Sequence, residues 1–99
     1  MKKGVLEMCI LYICNEKDMY GYEIMKRVTE AFPDISESTV YAILRRLNDY
    51  GSTESYIGTI SGGPQRKYYR ITAAGKKQLD EMTEIWKGTV NAVNNIGII

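Results

Sequence analysis

The chain has 99 residues, 44% of them hydrophobic, with 13 Lys and Arg against 12 Asp and Glu and no histidine. That suffices for one domain near the small end of what folds alone, where a partner subunit would help to bury apolar surface, and it excludes a disordered segment. No apolar run approaches the ~20 residues of a bilayer span, so no membrane association is expected.

Met1-Lys2-Lys3 has the look of a signal-peptide start, but Glu7, Asn15, Glu16 and Lys17 interrupt the stretch that follows and no small-residue cleavage site appears. The expected location is therefore cytoplasmic. Cys9 and Cys14 are the only cysteines. Without histidine they make a poor zinc set, so no metal or cofactor is expected. Two thiols in an apolar segment read as reduced core residues, and redox sensing is the alternative, requiring a lowered thiol pKa.

Net charge is +1 but unevenly spread. Residues 38–79 carry seven basic side chains (Arg45, Arg46, Arg66, Lys67, Arg70, Lys76, Lys77) against Asp49 and Glu54, giving +5, while residues 1–37 and 80–99 each sum to −2. A basic stripe on a near-neutral protein is the footprint of a nucleic-acid binder, although a solvated face has the same composition.

Leu6, Cys9, Ile10, Ile13 and Cys14 recur at helical spacing and predict a first helix over roughly 3–15. Met8, Leu11 and Tyr12 make it apolar on more than one side, as if it faces its own core and a second subunit. Tyr20-Gly21-Tyr22-Glu23 opens a second helix with Ile24, Val28 and Phe32 on one face, stopped by Pro33-Asp34. Ser36 or Ser38 can cap the third helix. Val40, Ile43, Leu44 and Leu47 form its buried stripe, Gly51 ends it, and Ser38, Thr39, Tyr41, Ala42, Arg45 and Arg46 look outward.

Tyr56–Ile60 and Lys67–Ile71 are β-prone runs joined by the glycine-containing tip Ser61-Gly62-Gly63-Pro64-Gln65-Arg66-Lys67, a hairpin by the usual signals. Thr72 then caps a last helix whose Leu79, Met82, Trp86, Val93 and Ile96 approximate a heptad seam, widened by Ile85 and Val90. Gly88, Asn91, Asn94 and Asn95 weaken helix propensity and predict a fraying end.

Three helices, a ribbon and a further helix make a mainly α winged helix-turn-helix with a small β-hairpin. Residues 1–72 form the DNA-binding body and residues 73–99 a C-terminal dimerisation helix, within a single compact unit. Ser38, Tyr41 and Arg45 form one row, Thr39, Ala42 and Arg46 the next, both opposite the buried stripe and able to enter a major groove. Short hydroxyls suit phosphates or base edges, Ala42 a thymine methyl, an arginine a guanine. At the wing, Arg66 and Lys67, with Gln65 beside them, suit phosphate or the minor groove, and Gly62 and Gly63 let the backbone approach closely. Tyr68, Tyr69 and Ile71 read as core and hairpin residues.

These residues closely resemble the PadR family of bacterial transcriptional regulators over nearly the whole chain. The likeness is carried by Lys3-Gly4-Val5-Leu6-Glu7, Tyr20-Gly21-Tyr22-Glu23-Ile24, Ser38-Thr39-Val40-Tyr41 and Leu44-Arg45-Arg46-Leu47. Its strongest piece is Gly62-Gly63-Pro64-Gln65-Arg66-Lys67-Tyr68-Tyr69-Arg70-Ile71-Thr72 with Ala73-Ala74-Gly75. The chain departs from the family at Ser52-Thr53, where members usually carry apolar residues. The resemblance implies a homodimer joined through the last and first helices, binding double-stranded DNA at a palindromic operator, usually as a repressor, in the subfamily with one short C-terminal helix.

Trp86, the only tryptophan, reads either as a core or interface aromatic or as a stacking surface for a small planar apolar or cationic effector. In a drug-binding relative, paired tryptophans from the two subunits hold the ligand. That resemblance implies an effector pocket at Trp86 with Glu7, Met8 and Val90 as neighbours. An enzyme is not expected: there is no nucleophile elbow or phosphate-cradling turn, and Glu7, Asp80, Glu81 and Glu84 read as helix-surface charges. The alternative is a winged-helix protein-interaction or drug-sequestering module without gene control.

Overall fold

The computed structural model describes residues 2–59 and 62–98, the side chains of residues 2 and 3 excepted. Met1, Ile99, and Ile60 with Ser61 at the ribbon tip lie outside the described residues. The elements are α1 (Lys2–Glu16), β1 (Met19–Tyr20), α2 (Gly21–Ala31), α3 (Glu37–Asp49), β2 (Thr53–Gly58), β3 (Arg66–Ile71) and α4 (Ala73–Ile96).

α1 buries Leu6, Ile10, Leu11, Ile13 and Cys14 against the other helices and leaves Tyr12 exposed, as its all-round apolar sequence predicts. α2 contributes Ile24, Met25 and Val28, and α3 the stripe Val40, Ile43, Leu44 and Leu47. Leu44 and Leu47 are completely buried, and each contributes on the order of 1.5–3 kcal/mol by leaving water. Of the two serines able to cap α3, Ser36 does so, accepting the Thr39 amide at 3.2 Å. Gly51, at φ +80°, turns the chain out of the helix in a conformation glycine adopts at least cost.

The ribbon belongs to a three-stranded antiparallel sheet of order β1-β3-β2. The two-residue strand β1 was not expected; Met19 pairs with Tyr69 and Tyr20 with Tyr68. The first wing strand also begins earlier than expected, at Thr53. Ser52 and Thr53, the polar pair after the glycine that ends α3, are both buried. Their hydroxyls are satisfied: Ser52 donates to the Gln78 side chain and Thr53 to Asn48 Oδ1 at 3.4 Å. The polar pair is thus accommodated without an orphaned group, as burial requires.

Thr72 caps α4 by accepting the Gly75 amide at 3.1 Å, and its own hydroxyl donates to the carbonyl oxygens of Gly51 at 2.6 Å and Ser52 at 3.0 Å. Gly75 makes this seat possible, because a Cβ there would stand 2.0 Å from the Ser52 carbonyl oxygen. The expected fraying is not observed. α4 runs unbroken to Ile96, and Gly97 at φ +104° ends it by donating its amide to the Val93 and Asn94 carbonyls. At 24 residues α4 is about 36 Å long, which accounts for a body measuring 51 × 29 × 23 Å.

Candidate nucleic-acid interface

The buried stripe of α3 fixes which of its residues face away. On a repeat of 3.6 residues, Ser38, Ala42 and Arg45 lie opposite Val40, Leu44 and Leu47, and all three are exposed. Tyr41 lies on one flank, over the start of α2. Gly21 leaves it room, since a Cβ there would meet the Tyr41 ring at 3.1 Å. Burial, the Glu37 charge, Tyr69 and Tyr22 raise the Tyr41 phenol pKa above its ordinary value.

Thr39 and Arg46 lie on the other flank, toward α1. Thr39 is exposed beside the cap. The outward position expected of Arg46 is corrected here. Its Nη2 donates to Glu7 Oε1 of α1 at 2.8 Å, with the Arg46 side chain only 25% and the Glu7 side chain 16% exposed. Glu7 is accordingly not a free surface charge. Arg45 is left as the outward arginine of the helix.

The wing places Gly62, Gly63, Pro64, Gln65 and Lys67 in solvent, with Gly62 at φ +72°. Side chains alternate across β3. Tyr69 and the Lys67 ammonium, 5.6 Å from the Tyr69 ring centre, share the face toward the helices. Arg66, Tyr68 and Arg70 share the opposite face. Tyr68 and Tyr69 are buried and Ile71 half-buried, in the hairpin and core positions expected of them. A helix with an exposed row thus shares the body with a basic, glycine-permitted finger, an arrangement suited to reading base edges while gripping phosphates.

The profile of the PadR-like family of transcriptional regulators matches residues 10–81. This chain belongs to that family.

Solved structures agree. The PadR-like regulator is 40% identical to a PadR-like transcriptional regulator from Bacillus cereus, covering 95% of this chain and 92% of that one with a TM-score of 0.88. A PadR family transcription regulator from Clostridium difficile is 34% identical over 92% of this chain and 96% of its own, with a TM-score of 0.82. An uncharacterised protein of Lysinibacillus sphaericus is 41% identical over 87 residues, 85% of this chain and 80% of that protein. The fold is thus the PadR-like winged helix and the regulator is a DNA-binding one.

On the far side of this PadR-like regulator, Trp86 and Met8 border two apolar recesses. One, of about 330 Å³, lies among α1, α2 and α4 and includes Tyr12, Phe32 and Leu79. The other, of about 240 Å³, lies between α1 and α4 and includes Val5, Met82 and Ile85. Met8 and Trp86 line both, and Glu7 and Val90 line neither. The seam also needs one correction. Leu79 is buried in the regulator's own core, whereas Met82 and Val93 are half-buried, Trp86 is 42% exposed and Ile96 77% exposed. Ile85, expected only to broaden the seam, is 72% exposed and belongs to the same apolar face.

Burial raises the thiol pKa of Cys9, and burial together with the Asp18 charge pushes Cys14 up to about 12. Both are the opposite of an activated thiolate. Among the described residues no group of side chains is arranged to hold a metal ion, and no helix is long and apolar enough to cross a membrane.

Proposed function

We propose that the protein is a homodimeric, operator-specific repressor. Its α3 helices enter successive major grooves of a palindromic site and its wings lie along the backbone. Ser38, Ala42 and Arg45 read or approach base edges, Thr39 and Tyr41 bond at the groove margin, and Gln65, Arg66 and Lys67 with Gly62 and Gly63 hold the flanking phosphates. The observation that supports this best is an α3 whose exposed row, Ser38, Ala42 and Arg45, backs directly onto a buried stripe, in the same body as a wing whose Gln65 and Lys67 stand in solvent. The apolar face of α4 around Ile85, Trp86 and Ile96, adjoining exposed Tyr12 of α1, supports association through those helices, because exposed apolar surface of this kind is normally covered.

A small planar apolar or cationic effector stacks against Trp86 beside Met8 in this reading and alters the relative orientation of the subunits. The test is a gel shift with the protein's own upstream DNA, followed by selection of bound fragments. A two-fold-symmetric site with half-sites about 34 Å apart, or a multiple of it, is expected. A stable monomer without preference for duplex over heparin would overturn the reading.

A further inference from the structure

The sheet face turned away from the core carries a continuous run of aromatic rings. Tyr22 of α2 stacks on Tyr20 of β1 with centroids 6.4 Å apart and planes at 16°. Tyr20 meets Tyr68 of β3 edge to face at 5.9 Å, and Tyr68 stacks on Tyr56 of β2 at 5.7 Å. The strand register places Tyr20, Tyr68 and Tyr56 side by side, and Tyr56 is tied down by donating its hydroxyl to Asp18 at 2.5 Å. Gly58 leaves room for the stack, since a Cβ there would meet the Tyr56 ring at 3.3 Å.

Two arginines lie on this run, in different electrostatic states. Arg70 lies 4.9 Å from the Tyr56 ring centre, and its Nε also donates to Glu54 at 3.1 Å, so its charge is matched. The Arg66 guanidinium lies 4.3 Å from the Tyr20 ring centre, and among the described residues no carboxylate pairs with it. A ring quadrupole holds a cation without neutralising it. A carboxylate would hold it equally well but would cancel the field that a phosphate feels. Arg66 is the first residue of β3, at the base of the wing, where the chain leaves the sheet for the glycine tip. An arginine side chain there otherwise loses its rotamer freedom on binding.

We infer that Tyr20 is a positioning residue for DNA binding: its ring fixes the Arg66 guanidinium in place before the duplex arrives and leaves its charge available to a phosphate. This inference rests on the wing reading above, and it adds a residue outside both the recognition helix and the wing. The phenol hydroxyl has no part in it, so Tyr20→Phe keeps the function, whereas Tyr20→Leu keeps apolar bulk and removes the ring.

The test is a double-mutant cycle on duplex binding across a salt series, using full-length protein. Arg66→Ala weakens binding and lowers the slope of log K against log salt by about one per protomer. Tyr20→Leu weakens it about two- to fivefold, the equivalent of an exposed cation–π contact, and Tyr20→Phe stays within about twofold of the parent. In the Arg66→Ala background, Tyr20→Leu has no further effect. An equal loss from Tyr20→Leu in both backgrounds, or no rescue by Tyr20→Phe, overturns the inference. An Arg66→Ala variant with unchanged affinity and slope would instead overturn the wing reading itself. Should Tyr20→Leu fail to fold, NMR of the unsubstituted protein decides. The Arg66 side-chain protons are expected well upfield from the ring current of Tyr20, and random-coil shifts overturn the proposal.

Discussion

Replacing Gly75 by alanine sets two effects of opposite sign against each other. Alanine is the better helix former by up to about 1 kcal/mol, and Gly75 is the third residue of α4. Its Cβ, however, would lie 2.0 Å from the Ser52 carbonyl oxygen and 2.8 Å from Ile71 Cγ1. That carbonyl already accepts the Thr72 amide at 3.1 Å and the Thr72 hydroxyl at 3.0 Å, so it cannot withdraw without loosening the cap of the same helix. Relief requires the first turn of α4 to lift off the start of β2. Overpacking of this kind typically costs about 1–3 kcal/mol, and a weakened cap about 1 kcal/mol more. The clash outweighs propensity, and a net loss of roughly 1–3 kcal/mol is expected. Urea unfolding at fixed protein concentration measures it as a lower midpoint with unchanged slope. Gly88→Ala is the internal control: it lies in the same helix with nothing within 4 Å of the added Cβ, and it should gain up to about 1 kcal/mol. Equal stabilisation by both substitutions would refute the close approach of α4 to Ser52.

The two adjacent arginines of α3 should separate cleanly. Arg45→Ala is expected to weaken specific duplex binding at least tenfold with little change in stability. Arg46→Ala should cost roughly 1–3 kcal/mol of folding free energy by leaving Glu7 half-buried and unpaired, while preserving the salt slope of DNA binding; urea melts and a salt titration distinguish them. For Cys14, burial holds the folded thiol protonated up to about pH 12 against an ordinary value of 9.0. A raised folded pKa gives stability that is full below pH 9.0 and is lost as pH rises toward 12, so unfolding free energy should fall across that window, and less steeply in Cys14→Val. A thiol reagent at pH 8 should leave Cys14 unmodified until the chain unfolds. Planar aromatic cations should quench Trp86 fluorescence, and a panel that leaves it unchanged counts against the effector.

The helices were legible because period carries burial. Val40, Ile43, Leu44 and Leu47 announce one face of α3, and the outward side follows as its complement. What escaped the sequence depends on partners distant along the chain. β1 is two residues long and has no period of its own; it exists because Tyr68 and Tyr69 lie opposite. Ser52 and Thr53 look like turn residues, and only Gln78 and Asn48 make their burial tolerable. Arg46 matches Arg45 in type and neighbourhood, and its role is decided by Glu7, 39 residues earlier. Leu79 fits the α4 seam as well as Trp86 does, because a heptad does not record whether the surface it meets belongs to the same chain or another.

That last residue gives α4 the mechanics of a lever. Gly75, Leu79 and half-buried Met82 clamp one end to the body, while Met82 to Ile96 reaches about 21 Å beyond the last of them. A swing of a few degrees at this fulcrum displaces the far end by an ångström or more. In the proposed dimer, a second copy or a ligand gripping the outer half of the rod would therefore have leverage over where α3 points.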